Sequence, residues 1–397
     1  MNSNSRAFSR DNLRQRSVSV DQRLSRNSTG AKESEFLVAR NDDEAEPEKK
    51  ASGNELLIYF CLMVFVGLGN KIFNKLETIP MYNYPNFLNL LTTAVFVPCC
   101  FAYIIPAARK GWIPKEQLEM PRKPFAVMGG LDAMAGIMQV FSATYLPGPL
   151  IILLSQAAIP ISMVISKYML NAQYNKFQYI GALIVAGGIM VVLAPTLTGD
   201  GDVLWTIIMI ASTVPMTLSS VYKEIALGET ELDAMYLNGW IAVFQFFFSF
   251  PLMIPAALAS SPPVAIPDLP QNLWNGMRCF MGYDSIHSCD DDGDDCQVDD
   301  CYPQAPMFVC CYLVFNQAYN LLILLILKYG SANILWLSFT LMVPLGNVAF
   351  TLDFIPEHAP LRITDIIGLI VICMGLCMYR FAHDMWKKYQ DQQNGDH

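Results

Sequence analysis

The chain has 397 residues, of which 53% are apolar and only 15% charged, with a mean hydropathy of +0.33 and a formal net charge of −9. An ordinary soluble domain carries about 25% charged residues; this composition describes a polytopic membrane protein, and an acidic balance without a basic patch excludes a nucleic-acid binder. The charges gather in residues 1–50, around residues 284–300 and at the C-terminus, leaving long apolar blocks between them.

The first apolar block starts at Leu56, behind a leader too long and too charged for the n-region of a cleaved secretory signal. Arg and Ser dominate its first thirty residues, as in a plastid or mitochondrial transit peptide, but Asp11 and Asp21 interrupt the pattern. Residues 1–54 therefore read as a disordered cytosolic tail.

A bilayer core of about 30 Å needs roughly 20 apolar residues per helix. Five blocks meet that length in the first half: Leu56–Phe73, Phe87–Pro106, Phe125–Leu146, Leu150–Leu170 and Phe177–Ala194. Five follow in the second: Val203–Leu227, Leu237–Leu258, Met307–Leu327, Ala332–Leu352 and Ile363–Phe381. Lys and Arg resist translocation and set orientation. With the N-terminus cytosolic, 22 of the 26 basic residues fall on the cytosolic side and only Lys71, Lys75, Arg278 and Arg362 on the other, so both termini are expected in the cytosol.

Five spans per half invert the second half relative to the first, the arrangement of many transporters. Leu154-Ser155-Gln156 through Pro160, followed by the Gly181–Gly188 helix, resembles Leu337-Ser338 through Pro344 followed by the Gly368–Gly375 helix. The expected fold is all-α: ten transmembrane helices as two inverted five-helix repeats, residues 55–200 and 201–383, with a cytosolic tail over 384–397.

Between the seventh and eighth spans, a luminal loop over 259–306 holds Cys279, Cys289, Cys296 and Cys301, which reads as two disulfides in an oxidising compartment, with three connectivities open. The spacings lack the close pairs zinc needs, and an EF-hand register around Gly293 puts Ser288 where an acidic ligand belongs. Its aspartates, among them Asp290–Asp292, Asp294, Asp295, Asp299 and Asp300, then read as a solvated acidic cap. Pro267–Met281 has the spacing of an amphipathic helix at the membrane surface.

A charge near a membrane-helix centre costs about 2.5–3.5 kcal/mol on the mildest scale and calls for a reason. Lys71 either lines a cavity or snorkels, and Asp132 either faces a cavity or bonds a neighbouring helix. Lys223-Glu224 is either an interfacial pair or holds a gating carboxylate. Gln156, Asn238, Gln245, Asn316 and Gln317 complete the polar set, in which any residue can serve as interhelical glue. No histidine falls in a span, so neither a metal centre nor a histidine-based catalytic site is expected in the membrane.

These residues carry a resemblance. Asn70-Lys71-Ile72-Phe73, Leu131-Asp132-Ala133, Ile159-Pro160-Ile161, Tyr179-Ile180-Gly181-Ala182, Glu224-Ile225, Leu237-Asn238, Phe244-Gln245 and above all the four-cysteine loop resemble the chloroquine-resistance-transporter-like proteins of the drug/metabolite transporter superfamily, from about Leu56 to Phe381. The resemblance implies ten helices in two inverted repeats. It further implies proton-driven export of small solutes (cationic amino acids, short peptides, cationic drugs) from an acidic vacuole or lysosome-like organelle. Plant relatives resemble plastid carriers of glutathione-type thiols, which makes a plastid-envelope carrier the alternative; a non-transporting scaffold or receptor is the alternative of another class. The resemblance implies nested disulfides, Cys279–Cys301 and Cys289–Cys296. It places Lys71 at the first-span lysine whose loss in the malarial member admits dicationic drugs, and Glu224 at the sixth-span carboxylate suspected of proton coupling. Tyr319 stands where that member has an eighth-span aspartate, a departure that bears on dibasic substrates. The substrate cavity is expected at Lys71, Asp132, Gln156, Gln245 and Asn316, with a small solute, protons and membrane lipid as partners, no cofactor or metal, and a monomeric chain.

Overall fold

The computed structural model describes residues 53–169, 174–195, 203–230, 233–260, 263–288, 297–329, 332–352 and 362–395. Among them regular structure is helical throughout. In chain order the helices are α1 (Gly53–Thr78), α2 (Pro85–Arg109), α3 (Lys123–Tyr145), α4 (Gly148–Ser155), α5 (Ala158–Met169), α6 (Lys176–Pro195) and α7 (Val203–Thr230). They continue with α8 (Ala234–Ala259), α9 (Leu269–Phe280), α10 (Gln304–Tyr329), α11 (Ala332–Ala349) and α12 (Ile363–Gly395). Packing sets Val164–Tyr174 apart, and everything below belongs to the unit formed by the other described residues.

Among the described residues, eight helical segments are long and apolar enough to cross a membrane: Leu57–Thr78, Pro85–Arg109, Lys123–Tyr145, Gly148–Met169, Lys176–Pro195, Val203–Lys223, Met235–Ala259 and Gln304–Ile323. Ser338–Ala349 and Ile363–Tyr379 are shorter apolar helices. Exposed Phe65, Leu183 and Val314 face outward, as in a chain solvated by lipid.

Several boundaries differ from the hydropathy pattern, and for two of them the contacts give the physical reason. α1 continues past Phe73 to Thr78 because its polar last turn is buried: the Lys75 ammonium donates to the Ala143 and Thr144 carbonyls at 3.0 and 3.3 Å. The span expected over Leu150–Leu170 begins at Gly148 and breaks at Gln156-Ala157 into α4 and α5. Pro160 has no N–H to give the Gln156 carbonyl, and the Ile159 amide donates to that oxygen instead at 3.1 Å.

With no hydrophobic force between helices in lipid, close backbone approach does the work. α6 and α12 run antiparallel along a glycine seam: a Cβ at Gly188 would lie 3.2 Å from the Gly368 carbonyl, and one at Gly375 would lie 2.9 Å from that of Gly181. α1 packs along α10 and α11, and α3 along α7 and α8. At the α3–α8 contact a Cβ on Gly129 would stand 2.8 Å from the Ile241 carbonyl. α10 contains no glycine, and it meets α2 at few points.

One end of the bundle is closed by the loop. Cys279 and Cys301 form a buried disulfide, as the resemblance implied; Cys289 and Cys296, with Asp290–Asp295, lie outside the described residues. Asp299 is no part of a solvated cap. It is 7% exposed and accepts from the Tyr84 hydroxyl (2.7 Å), the Asn83 amide (3.0 Å) and the Ser285 and Ile286 backbone N–H groups (both 2.9 Å). Burial, and then that carboxylate, hold the Tyr84 hydroxyl well above the usual phenol range. The helix expected over Pro267–Met281 is α9, and its apolar face lies on the bundle: Leu269, Leu273, Met277 and Phe280 join the core, Gly276 abuts Phe87, and Trp274 and Met281 point out. At the opposite, basic end, Asp233 caps α8 by accepting from the Tyr236 N–H (2.9 Å), and the Arg122 guanidinium lies 3.5 Å over the Trp240 ring.

Candidate functional site: a polar chamber among the helices

Amide and hydroxyl side chains on one face of a membrane helix need partners or a water-filled space. Asn70 and Asn74 on α1, and Tyr312, Asn316 and Asn320 on α10, recur every fourth residue and so share one face of each helix. Those faces turn inward. One cavity of about 260 Å³ is lined by Asn74, Asn89, Thr93, Asp132, Gln139, Lys223, Asn238, Gln245, Tyr312, Asn316 and Asn320, among others. A second, of about 230 Å³, is lined by Asn70, Lys71, Asn74, Lys75, Gln139, Ser155, Tyr312 and Asn316 with apolar neighbours. Asn74, Gln139, Tyr312 and Asn316 line both, so the two form one chamber.

Within it the polar groups are loosely tied. The Asn316 amide donates to Asn70 Oδ1 and to the Tyr312 hydroxyl, both at 3.3 Å, and the Gln139 amide reaches only the Met216 sulfur at 3.3 Å. One contact is strong: Lys223 Nζ lies 2.7 Å from Asp132 Oδ2, joining α7 to α3, with the side chains 29% and 17% exposed. Toward the disulfide end the chamber is shut by Lys75 on the α3 carbonyls, by the Thr78 hydroxyl donating to Ala143 O at 3.3 Å, and by the Tyr82–Tyr145 ring pair.

Of the expected cavity residues, Lys71, Asp132, Gln245 and Asn316 line this chamber together. Gln156 stands apart at the α4–α5 break, donating to the Ile152 carbonyl at 3.2 Å. The Glu224 side chain lies outside the described residues. Lys223, read from sequence with its chain neighbour, instead pairs with Asp132 across 91 positions of sequence, which no local pattern reveals. The sequence reading also missed Asn74, Asn89, Gln139, Tyr312 and Asn320, although the four-residue stripe on α10 was there to be seen. It missed Glu77 in the last turn of α1, which is 1% exposed with Oε2 unpartnered among the described residues. Among those residues no group of three His, Cys, Asp or Glu side chains is placed to hold a metal.

Comparison with known proteins gives the chamber its context. The family model described as CRT-like, chloroquine-resistance transporter-like, matches residues 56–379. A chloroquine resistance transporter of Toxoplasma gondii is 34% identical over 86% of this chain, which spans only 40% of that longer protein. Crt homolog 3 of Dictyostelium discoideum is 31% identical over 86% of this chain and 77% of its own length. Protein CLT2, chloroplastic, of Arabidopsis thaliana is 27% identical over 89% of this chain and 82% of its own. By the extent of the family match and these identities, the chain belongs to the chloroquine-resistance-transporter-like family of membrane transporters.

Proposed function

We propose that this chain is a proton-coupled secondary transporter that moves small solutes, amino acids, short peptides and cationic drugs among them, from an acidic vacuole or lysosome-like compartment to the cytosol. The observation that carries this reading is the chamber itself: amides from five helices converge with one ion pair and two further lysines, Lys71 and Lys75, in the middle of an otherwise apolar bundle. Such groups are costly in lipid and are kept where a polar solute passes. Ten spans in two inverted repeats agree with the packing, because exchanging the halves carries the α1–α10 pair onto α7–α3, and both pairs pack closely. In that frame the disulfide end is luminal and closed, the basic end is cytosolic, and the chain works as a monomer.

Alternating access requires a contact that one state makes and the other breaks. The Asp132–Lys223 pair, bridging α3 and α7, is such a contact, and Glu224, next in the chain, is the proton-coupling carboxylate that the family resemblance indicates. A proton taken from the acidic side neutralises the carboxylate in one state and leaves to the cytosol in the other. Uptake of labelled arginine into proteoliposomes under an imposed pH gradient tests this. Glu224→Gln should abolish stimulation by the gradient while sparing arginine exchange without one. Full stimulation in Glu224→Gln with loss in Asp132→Asn moves the role to Asp132; full stimulation in both removes proton coupling through either, and no uptake by the native chain favours a scaffold or receptor.

The similarity to chloroplastic CLT2 supports a second reading, a plastid-envelope carrier of glutathione-type thiol peptides. Imaging a tagged chain separates the two compartments.

A further inference from the structure

Beside the chamber lies a third cavity of about 250 Å³, wedged between α2 and the first turns of α8 on one side and α10 on the other. It shares Phe96, Asn238 and Asn320 with the chamber, so it is a side arm of it. Its other walls are apolar or weakly polar, Cys99, Met235, Ala318 and Leu321 among them, in contrast to the amide-rich chamber. Gly129 lets α3 close on α8, whereas neither α2 nor α10 carries a glycine and the two meet at few points. Gln317 is one of its lining residues, and the Gln317 side-chain nitrogen is buried without an acceptor among the described residues. A buried donor left unpaired costs about 1–3 kcal/mol, a penalty that a ligand's acceptor would relieve.

We propose that this arm is a specificity pocket for the apolar side chain of a transported solute, a short peptide with a bulky residue, whose backbone carbonyl or carboxylate accepts from Gln317 while its charged and polar part stays in the chamber. The pocket has room for an aromatic ring, since an apolar cavity of about 150 Å³ already holds benzene. The proposal deepens the transporter reading and rests on it for the identity of the solute, but occupancy of the arm can be read without transport. Cys99 lines the pocket and is exposed, so its reaction with N-ethylmaleimide, followed by peptide mapping against the other exposed thiols Cys61, Cys310 and Cys377, reports what fills it.

In purified full-length protein, the dipeptide Gly-Phe at ten times its Kd should slow Cys99 labelling about tenfold by simple occupancy, Gly-Gly should not, and Ala318→Trp, which fills the arm, should erase the difference. In proteoliposomes the same substitution should raise KM for Gly-Phe about tenfold or more and leave Gly-Gly uptake unchanged. Equal protection by the two dipeptides, no protection by Gly-Phe, or protection that survives Ala318→Trp overturns the proposal and leaves the arm a seat for lipid chains. Should Ala318→Trp fail to fold, Gln317→Leu takes its place: a KM for Gly-Phe that rises supports the pocket and one that stays put refutes it. Protection of Cys99 without uptake of either peptide would count against the transporter reading and keep the pocket, while uptake without protection does the reverse.

Discussion

Asp299 at the disulfide end and Asp132 in the chamber are both carboxylates withdrawn from water, but they are held by different kinds of partner. Four donors from two segments, Asn83-Tyr84 and Ser285-Ile286, converge on Asp299, two of them backbone N–H groups and none of them charged. Asp132 has a single ammonium on a neighbouring helix. Donors fixed by the backbone make a permanent joint, since no single rotamer change frees the acceptor. A lone ion pair on two long side chains can be broken by one proton, one competing solute or one helix shift. The closed end is therefore a structural lock, and the chamber is where change of state is cheapest. Substitutions at the lock should affect stability and leave selectivity alone; those in the chamber should do the opposite.

The sharpest test of the lock is Asp299→Ala. It strands the Tyr84 hydroxyl and two backbone N–H groups, and leaves the Asn83 amide only the Gln297 carbonyl at 2.8 Å, in a region where Tyr84 is fully buried. With a penalty of about 1–3 kcal/mol per stranded donor, partly relieved by water, a loss near 3 kcal/mol is expected. Thermal unfolding in detergent should show it as a clear drop in Tm, while the ratio of arginine to dipeptide uptake by the surviving folded fraction stays unchanged. A shifted ratio at constant Tm would mean that the disulfide end helps choose the solute.

A somewhat smaller effect is expected from the paired substitution of Cys279 and Cys301 by Ser. The bond ties residues 22 apart, for which restriction of the unfolded chain is worth about 3.4 kcal/mol, less whatever the surrounding contacts retain. Because Asp284 already accepts from the Cys301 N–H at 2.9 Å and Asp299 anchors the same strand of loop, the reduced loop should stay docked. Reducing agent should therefore lower the Tm of the native protein by more than that of the double variant, in which only Cys289 and Cys296 of the loop remain. A native Tm insensitive to reduction would show that the hydrogen bonds alone make the lock.

How much of this comparison was legible beforehand follows from the range of each interaction. Helices are local, and the hydropathy blocks found most of them. They ended α1 too early because Lys75 and Glu77 read as polar while the fold buries them, and they passed over the break at Gln156, where Pro160 was the available cue. Lys71, Asp132, Gln245 and Asn316 stood out as rare polar groups in apolar surroundings, and the fold brings them together. The partner of Asp132 and the burial of Asp299 depend on contacts 91 and more than 200 residues away, and composition carries no trace of such pairings. A stretch rich in aspartate reads as solvated whether or not one member of it is turned inward.

In the chamber, the charge swap Asp132→Lys with Lys223→Asp measures how much the pair depends on its own sense. Each single substitution puts two like charges beside each other and should cut arginine uptake roughly tenfold to hundredfold, in line with coupling of about 1–3 kcal/mol between contacting groups. The double swap should recover a large part of that loss, with a changed pH profile because the carboxylate now sits on α7. No recovery at equal expression would mean that each residue acts alone on the solute rather than on the other.

Lys71 should give the smallest change in rate and the largest in selectivity. It lines the part of the chamber nearest the lock, beside Asn70 and Asn74, where Lys75 is already engaged by the α3 carbonyls. Its ammonium therefore adds a positive charge to a chamber that holds two other cations, Lys75 on the α3 carbonyls and Lys223, the latter matched by Asp132. Repulsion between like charges about 8 Å apart at an effective dielectric constant near 20 amounts to roughly 2 kcal/mol per unit of solute charge before screening by water in the cavity, and about half that after it. A dication feels twice what a monocation feels. Lys71→Thr should accordingly raise uptake of a dicationic drug such as chloroquine several-fold more than that of arginine, and barely alter uptake of the zwitterionic dipeptide Gly-Gly. Lys71→Arg, which keeps the charge, should leave all three rates in their native order. If Lys71→Thr and Lys71→Arg change the three rates in parallel, the residue acts through shape and packing, and the electrostatic role assigned to it must be given up.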